Sequence, residues 1–129
     1  MTEPAPAPSR NQLAAERTEW AEDRTLLANE RTFAGWMRTG LAAVGIGVGF
    51  QALFGRLEPP YLARIIATVF VLTGVFVFVA AARNASKVCA RLQAHAARPL
   101  GGARVNLIAT LLSAASLALL AGVWLLAIE

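Results

Sequence analysis

The chain alternates between long apolar stretches and segments that carry charge. Three stretches have no charged residue: Thr39–Gly55, Ile65–Ala82 and Val105–Ile128. Since a helix needs roughly 20 mainly apolar residues to cross a bilayer, all three qualify, the first by including Ala34–Met37. The pattern therefore predicts an all-α membrane protein with three transmembrane helices, at about residues 34–55, 63–82 and 105–128.

The ends of these helices are predicted from turn and cap residues. Ser9 with Gln12 three residues later is a capping box, so a helix should begin near Arg10. Residues 1–9 are rich in Pro and Ala and are expected to be a disordered tail before one membrane domain, 10–129. The first helix has no proline up to Gly55, so it should extend as one piece from the cytoplasm into the membrane.

Two further features bear on these helices. A bend near Gly35 or Gly40 is an open alternative to a straight first helix. The basic loop 83–104 contains good helix-forming sequence, so the second helix is expected to continue to about Ala97 and to end at "RPLGG" (98–102). In the third span, Asn106, Thr110 and Ser113 share a face, which predicts hydrogen bonds between helices.

Charge predicts the orientation of the chain. Ten of the 12 lysines and arginines lie in the N-terminal segment or in the loop 83–104, and the other two, Arg56 and Arg64, lie between the first two spans. The positive-inside rule then places the N-terminus and this loop in the cytoplasm and the C-terminus outside. The first ten residues have no apolar segment, so no cleaved signal peptide is expected there. A multi-pass protein of the bacterial inner (plasma) membrane is expected.

Arginines repeat every seven residues in the first helix, as Arg-Thr at 17–18, 24–25, 31–32 and 38–39. Each seven-residue step lags by only about 20°, so these arginines form one stripe. Toward the membrane the stripe continues into small residues. Small residues let helices approach closely, and so the stripe should point toward protein. This arginine face comprises Arg17, Arg24, Arg31 and Arg38, followed by Gly35, Ala42, Gly45 and Gly49.

Nothing acidic lies three or four residues from any arginine of the face, so intrahelical ion pairs are not expected. Asp23 and Glu30 lie about 100° around the helix, where they can pair with arginines of a neighbouring subunit. Two explanations stay open: the face attracts an anionic ligand or a partner's acid, or it lies on the membrane with its arginines at lipid phosphates. We expect a homo-oligomeric ring of more than three copies, with Arg24, Arg31 and Arg38 inward.

The second cytoplasmic helix repeats the basic pattern with Arg83, Lys87 and Arg91. This pattern indicates either an anion-attracting face or a plain positive-inside anchor. The single cysteine, Cys89, excludes an intramolecular disulfide and is expected to be buried and chemically idle.

The composition narrows the function classes. Of the residues, 57% are apolar, which is typical of a membrane protein. In such a protein the cytoplasmic loops normally carry an excess of basic residues, so the pI of about 10.6 does not indicate a nucleic-acid partner. The sequence has no paired carboxylates at the membrane, no Cys/His cluster, no P-loop and no nucleophile with a nearby base. We therefore expect no enzyme, no metal and no cofactor, and membrane lipids as surroundings.

The run "DRTLLANERTFAGWMRTGLA" (23–42), before a glycine-rich span and two further spans, resembles the YidH-like family of small bacterial inner-membrane proteins. That family is a domain of unknown function shared with the membrane part of the fungal vacuolar transporter chaperone, which makes polyphosphate and passes it across a membrane. The resemblance covers about residues 17–128, and "LANERTF" followed by Trp36 is its specific part. It implies an oligomeric membrane module whose first helices surround a basic path.

Carried over position by position, the resemblance implies that Arg24 and Arg31 line this path, that Glu30 braces a neighbouring subunit and that Arg83 adds to the cytoplasmic mouth. Arg38 departs from the fungal pattern, which has a neutral residue there. Nothing resembles the polymerase or phosphate-sensing domains, so polymer synthesis is not implied. Two functions remain: a channel-like path or vestibule for polyphosphate, phosphate or a lipid headgroup, or a structural subunit whose Arg/Glu stripe only joins helices.

Overall fold

The computed structural model describes residues 2–93 and 100–126, and in that part of the chain it contains three helices and no strand. They are α1 (Arg10–Phe54), α2 (Pro60–Gln93) and α3 (Leu100–Leu125). All three are long and apolar enough to cross a membrane, so the predicted all-α, three-helix membrane fold is confirmed.

The helix ends follow local sequence. The capping box is present: the Ser9 hydroxyl accepts from the Gln12 backbone N–H at 3.3 Å, and the Ser9 N–H donates to Gln12 Oε1 at 2.7 Å. α3 begins at Leu100, five residues before the predicted span and within the segment 98–102 that the sequence predicts to separate the helices. The uncharged stretch starts only after Arg104, whereas the helix also includes the turn that carries this arginine. The predicted end of the second helix at Ala97 lies outside the described residues.

α1 is one continuous helix of 45 residues, with no break at Gly35 or Gly40. At 1.5 Å per residue it is about 67 Å long, more than twice the roughly 30 Å of a hydrocarbon core. The arginine-bearing half therefore extends beyond the thickness that a membrane can enclose.

α1 and α2 form an antiparallel hairpin that is closed by glycines. A Cβ on Gly47 would lie 2.9 Å from the Ala67 carbonyl oxygen, and one on Gly74 would lie 2.8 Å from the Gly40 carbonyl oxygen. The ring of Phe78, which is 0% exposed, fills the space beside Gly40. The backbones of the two helices thus approach as closely as small residues permit.

α2 is the central helix, because it packs against both α1 and α3 while α1 and α3 touch each other little. Among the described residues, two side-chain hydrogen bonds join α2 to α3: Ser86 Oγ donates to Asn106 Oδ1 at 3.0 Å, and Trp124 Nε1 donates to Thr68 Oγ1 at 3.2 Å. Of the three polar residues predicted to join helices, only Asn106 does so in the described part of the chain. Thr110 instead donates to a carbonyl of its own helix.

Candidate functional site

The arginine face of α1 lies opposite the face that packs against α2. At 100° per residue, the buried residues of α1 are centred about 180° from the arginines. Arg24, Arg31 and Arg38 are all exposed. The buried residues are Phe33, Met37, Gly40, Val44 and Gly47. α1 therefore uses one side to hold its own chain together and leaves the basic side uncovered.

The small residues of the arginine face are uncovered as well. A Cβ added to Gly35, Gly45 or Gly49 would meet no atom within 4 Å, and Ala42 is exposed. Within the described residues, this face therefore makes no close helix contact. Its predicted contact with other copies stays a prediction.

The sequence pattern does not single out the glycines that pack within the chain. Gly40 and Gly47 share the buried face of α1, and Gly74 faces them from α2. A signal was present, because Gly40 and Gly47 are seven residues apart and fall on the side that carries Phe33 and Val44. A stripe of bulky residues interrupted by two glycines is typical of a face that must admit another helix.

The two acids sit beside the arginines without covering them. Asp23 and Glu30 are exposed, as the arginines are. Glu30 lines an open hollow of about 600 Å³ on α1, together with Arg24 and Arg31 and floored by apolar side chains. A single copy thus presents mixed but mainly positive charge along this face.

Arg83 does not join the arginine face within one chain. On α2 the residues that meet Asn29 of α1 are Ala85, whose carbonyl accepts from the Asn29 amide at 3.3 Å, and Cys89. Arg83 is exposed and lies about 160° around α2 from Ala85. The arginine face and Arg83 therefore lie on opposite outer sides of the hairpin, and a shared path mouth requires more than one copy.

Comparison with known proteins agrees with this architecture. Residues 24–89, more than half of the chain, match a family described as "Domain of unknown function (DUF202)". The chain belongs to the DUF202 family. No curated protein and no solved structure matches it. The family assignment confirms the resemblance that "LANERTF" indicated in the sequence.

The DUF202 match covers the α1–α2 hairpin. It begins at Arg24 and ends at Cys89, and so it includes Arg31, Arg38 and Arg83 and the three glycines that close the hairpin. α3 lies outside it. The part of this chain that matches the family model is therefore most of the α1–α2 hairpin, which in this chain has an arginine-bearing outer face.

Proposed function

We propose that this DUF202 protein is a non-enzymatic membrane protein that assembles as a homo-oligomeric ring of more than three copies around an anion-attracting vestibule or path. One observation carries the proposal: the side of α1 that holds both the arginines and the open glycines is uncovered in the single chain. Polyphosphate, phosphate and a lipid headgroup are the anions that fit its charge. The location proposed is the bacterial inner membrane.

Energetics support a partner for this face. Arg38 comes directly before the first uncharged stretch, where an unpaired arginine costs about 3 kcal/mol or more. Gly45 and Gly49 have the spacing of a close-packing motif, and no described atom of their own chain lies within 4 Å of a Cβ added to either. Contact between copies of α1 gives the glycines a packing partner and brings arginines of several copies together.

The charges of such a ring can be balanced between neighbours. Seven residues of helix separate successive arginines by about 10 Å, near the Debye length at 0.1 M salt, so each ring of arginines repels the next. Glu30 and Asp23, about 100° around the helix, are placed to reach arginines of the adjacent copy. Three arginines against two acids leave a net positive interior that attracts anions.

The second candidate is a structural subunit in which acids from neighbours neutralise the arginines completely. The position of Glu30 favours it, since this carboxylate lines the same hollow as Arg24 and Arg31. In that case the face holds helices together and has no room for a ligand.

Assembly is the first test. A Cβ added at Gly45 has no atom of its own chain within 4 Å, so Gly45→Leu should leave the fold intact and disperse the oligomer. Native mass spectrometry in mild detergent distinguishes the oligomer from the monomer. Gly102→Leu, at another open glycine on α3, is the matched control and should keep the assembly. A monomeric unsubstituted protein would contradict the proposal and favour a helix that lies on the lipid surface.

A further inference from the structure

A cleft lies between the ends of α1 and α3 at the turn that joins α1 to α2. It is open, has a volume of about 930 Å³, and is lined by Gln51, Arg56 and Arg64 together with small and apolar residues of α3. It forms because α1 and α3 pack on α2 without closing on each other. Gln51 is 20 residues from Arg31, so about 30 Å of helix separates the cleft from the hollow of the arginine face.

The polar atoms of this cleft are short of partners. Arg64 Nε and Gln51 Oε1 are both buried and make no hydrogen bond in the described part of the chain. A buried donor on a charged group is costly when it is left unpaired. Among the described residues, those that line the cleft include two arginines and no carboxylate, so the partner that fits the Arg64 Nε donor is an anion. Gln51 Oε1 is itself an acceptor and needs a donor instead.

The wall of the cleft selects the kind of anion. The α3 side consists of Ala115, Ala118, Leu119, Gly122 and Val123, with no polar side chain. Arg64 directly precedes the uncharged stretch that begins at Ile65, which puts its guanidinium at the border of the apolar layer, where phospholipid phosphates lie. A charged end next to an apolar groove matches a molecule with a phosphate and an acyl chain.

The cleft is held in shape by a hydrogen-bonded chain. Trp124 Nε1 donates to Thr68 Oγ1 at 3.2 Å, and Thr68 Oγ1 donates to the Arg64 carbonyl oxygen at 2.7 Å. This chain fixes the end of α3 to the turn of α2 that carries Arg64. The site is therefore formed before any ligand arrives, which lowers the entropic cost of binding.

We propose that this cleft binds one anionic phospholipid, with Arg56 and Arg64 on the phosphate and an acyl chain along α3 between Ala115 and Gly122. The site is independent of the arginine face and of assembly through it. It differs from the loose contact that any interfacial arginine makes with lipid, because the acyl chain lies in a groove along α3 that a substitution can fill.

Native mass spectrometry of the full chain in neutral detergent, titrated with phosphatidylglycerol, tests the site. Arg64→Gln removes a charge-assisted hydrogen bond and should weaken binding about tenfold. Gly122→Leu keeps both arginines, and its Cβ has room because no atom lies within 4 Å of that position. The rest of the leucine side chain should occupy the groove and weaken binding by a similar factor. Gly102→Leu, the same change at an open glycine at the other end of α3, should leave binding unchanged.

The other occupants give different results. If inorganic phosphate competes fully while Gly122→Leu has no effect, the cleft holds a free anion and the lipid proposal is overturned. If Gly122→Leu disperses an oligomer, the occupant is a second copy of the chain. If neither Arg64→Gln nor Gly122→Leu changes phosphatidylglycerol binding, Arg64 contacts lipid without a defined site and the proposal fails.

Discussion

At the scale of single residues, Arg31 and Glu30 are neighbours in the chain that carry opposite charges. Both are exposed and both line one hollow of α1, so the charge of each decides what the hollow attracts. In a ring, one substitution acts once in every copy, and its effect on the field inside the ring is multiplied.

Arg31→Gln should therefore keep the oligomer and weaken the binding of tripolyphosphate by at least about tenfold, with a weaker dependence on salt. Isothermal titration calorimetry at two salt concentrations measures both. Arg104→Gln, at an exposed arginine of α3, is the control and should change little. Equal losses in the two variants would mean that only net charge matters, and loss of assembly in Arg31→Gln would favour the structural subunit.

The sequence was sufficient for some residues of the two sites and insufficient for others. A seven-residue repeat places arginines on one side of a helix whatever the rest of the fold does, so the exposed face was predictable. The role of Arg64 was not, because its cleft depends on α3 lying apart from α1, and Arg64 is more than 40 residues from Ala115. A pattern of neighbouring residues cannot show that two positions so far apart in the chain lie together.

At the scale of elements, α1 is a helix with two faces that can each admit a neighbour. Both faces contain glycines, and the sequence indicated the one next to the arginines. The structure shows that α2 takes the other, where Gly74 and Phe78 complement Gly40 and Gly47. Helix pattern alone could not decide this, because the choice depends on the shape of the partner helix.

Gly74→Ala should destabilise the hairpin by about 1–3 kcal/mol, because the new methyl group would lie 2.8 Å from the Gly40 carbonyl oxygen and neither backbone can move freely. Gly122→Ala adds the same methyl group where no atom lies within 4 Å, and it should change stability by less than about 0.5 kcal/mol. Thermal unfolding in detergent compares the two. An equal response would mean that the helices separate in solution.

At the scale of the whole molecule, the three spans were predictable because uncharged apolar stretches of this length are typical of transmembrane helices. The arrangement of the helices was not, since nothing in the three patterns says which helix lies in the middle. α2 is central, joined to α1 through close backbones and to α3 through Ser86 and Thr68.

The orientation across the membrane follows from charge and stays a prediction. Ten basic residues lie in the N-terminal segment and the loop 83–104, and two lie at the α1–α2 turn. A reporter enzyme that works only outside the cytoplasm should therefore be active when it is fused after Glu129. A fusion at residue 2 should behave in the opposite way and serves as the control. A cytoplasmic signal from the fusion after Glu129 would reverse the side on which the arginine face opens.

Cys89 makes the hairpin observable by chemistry. It is the only thiol of the chain, it is 6% exposed, and it lies against Asn29 in the arginine-bearing half of α1. A maleimide should therefore reach it only after α1 and α2 separate there, so the alkylation rate measures how often the two helices open at this point. The unmodified protein thus carries its own probe of whether an anion, a lipid or a neighbouring copy clamps the two helices together.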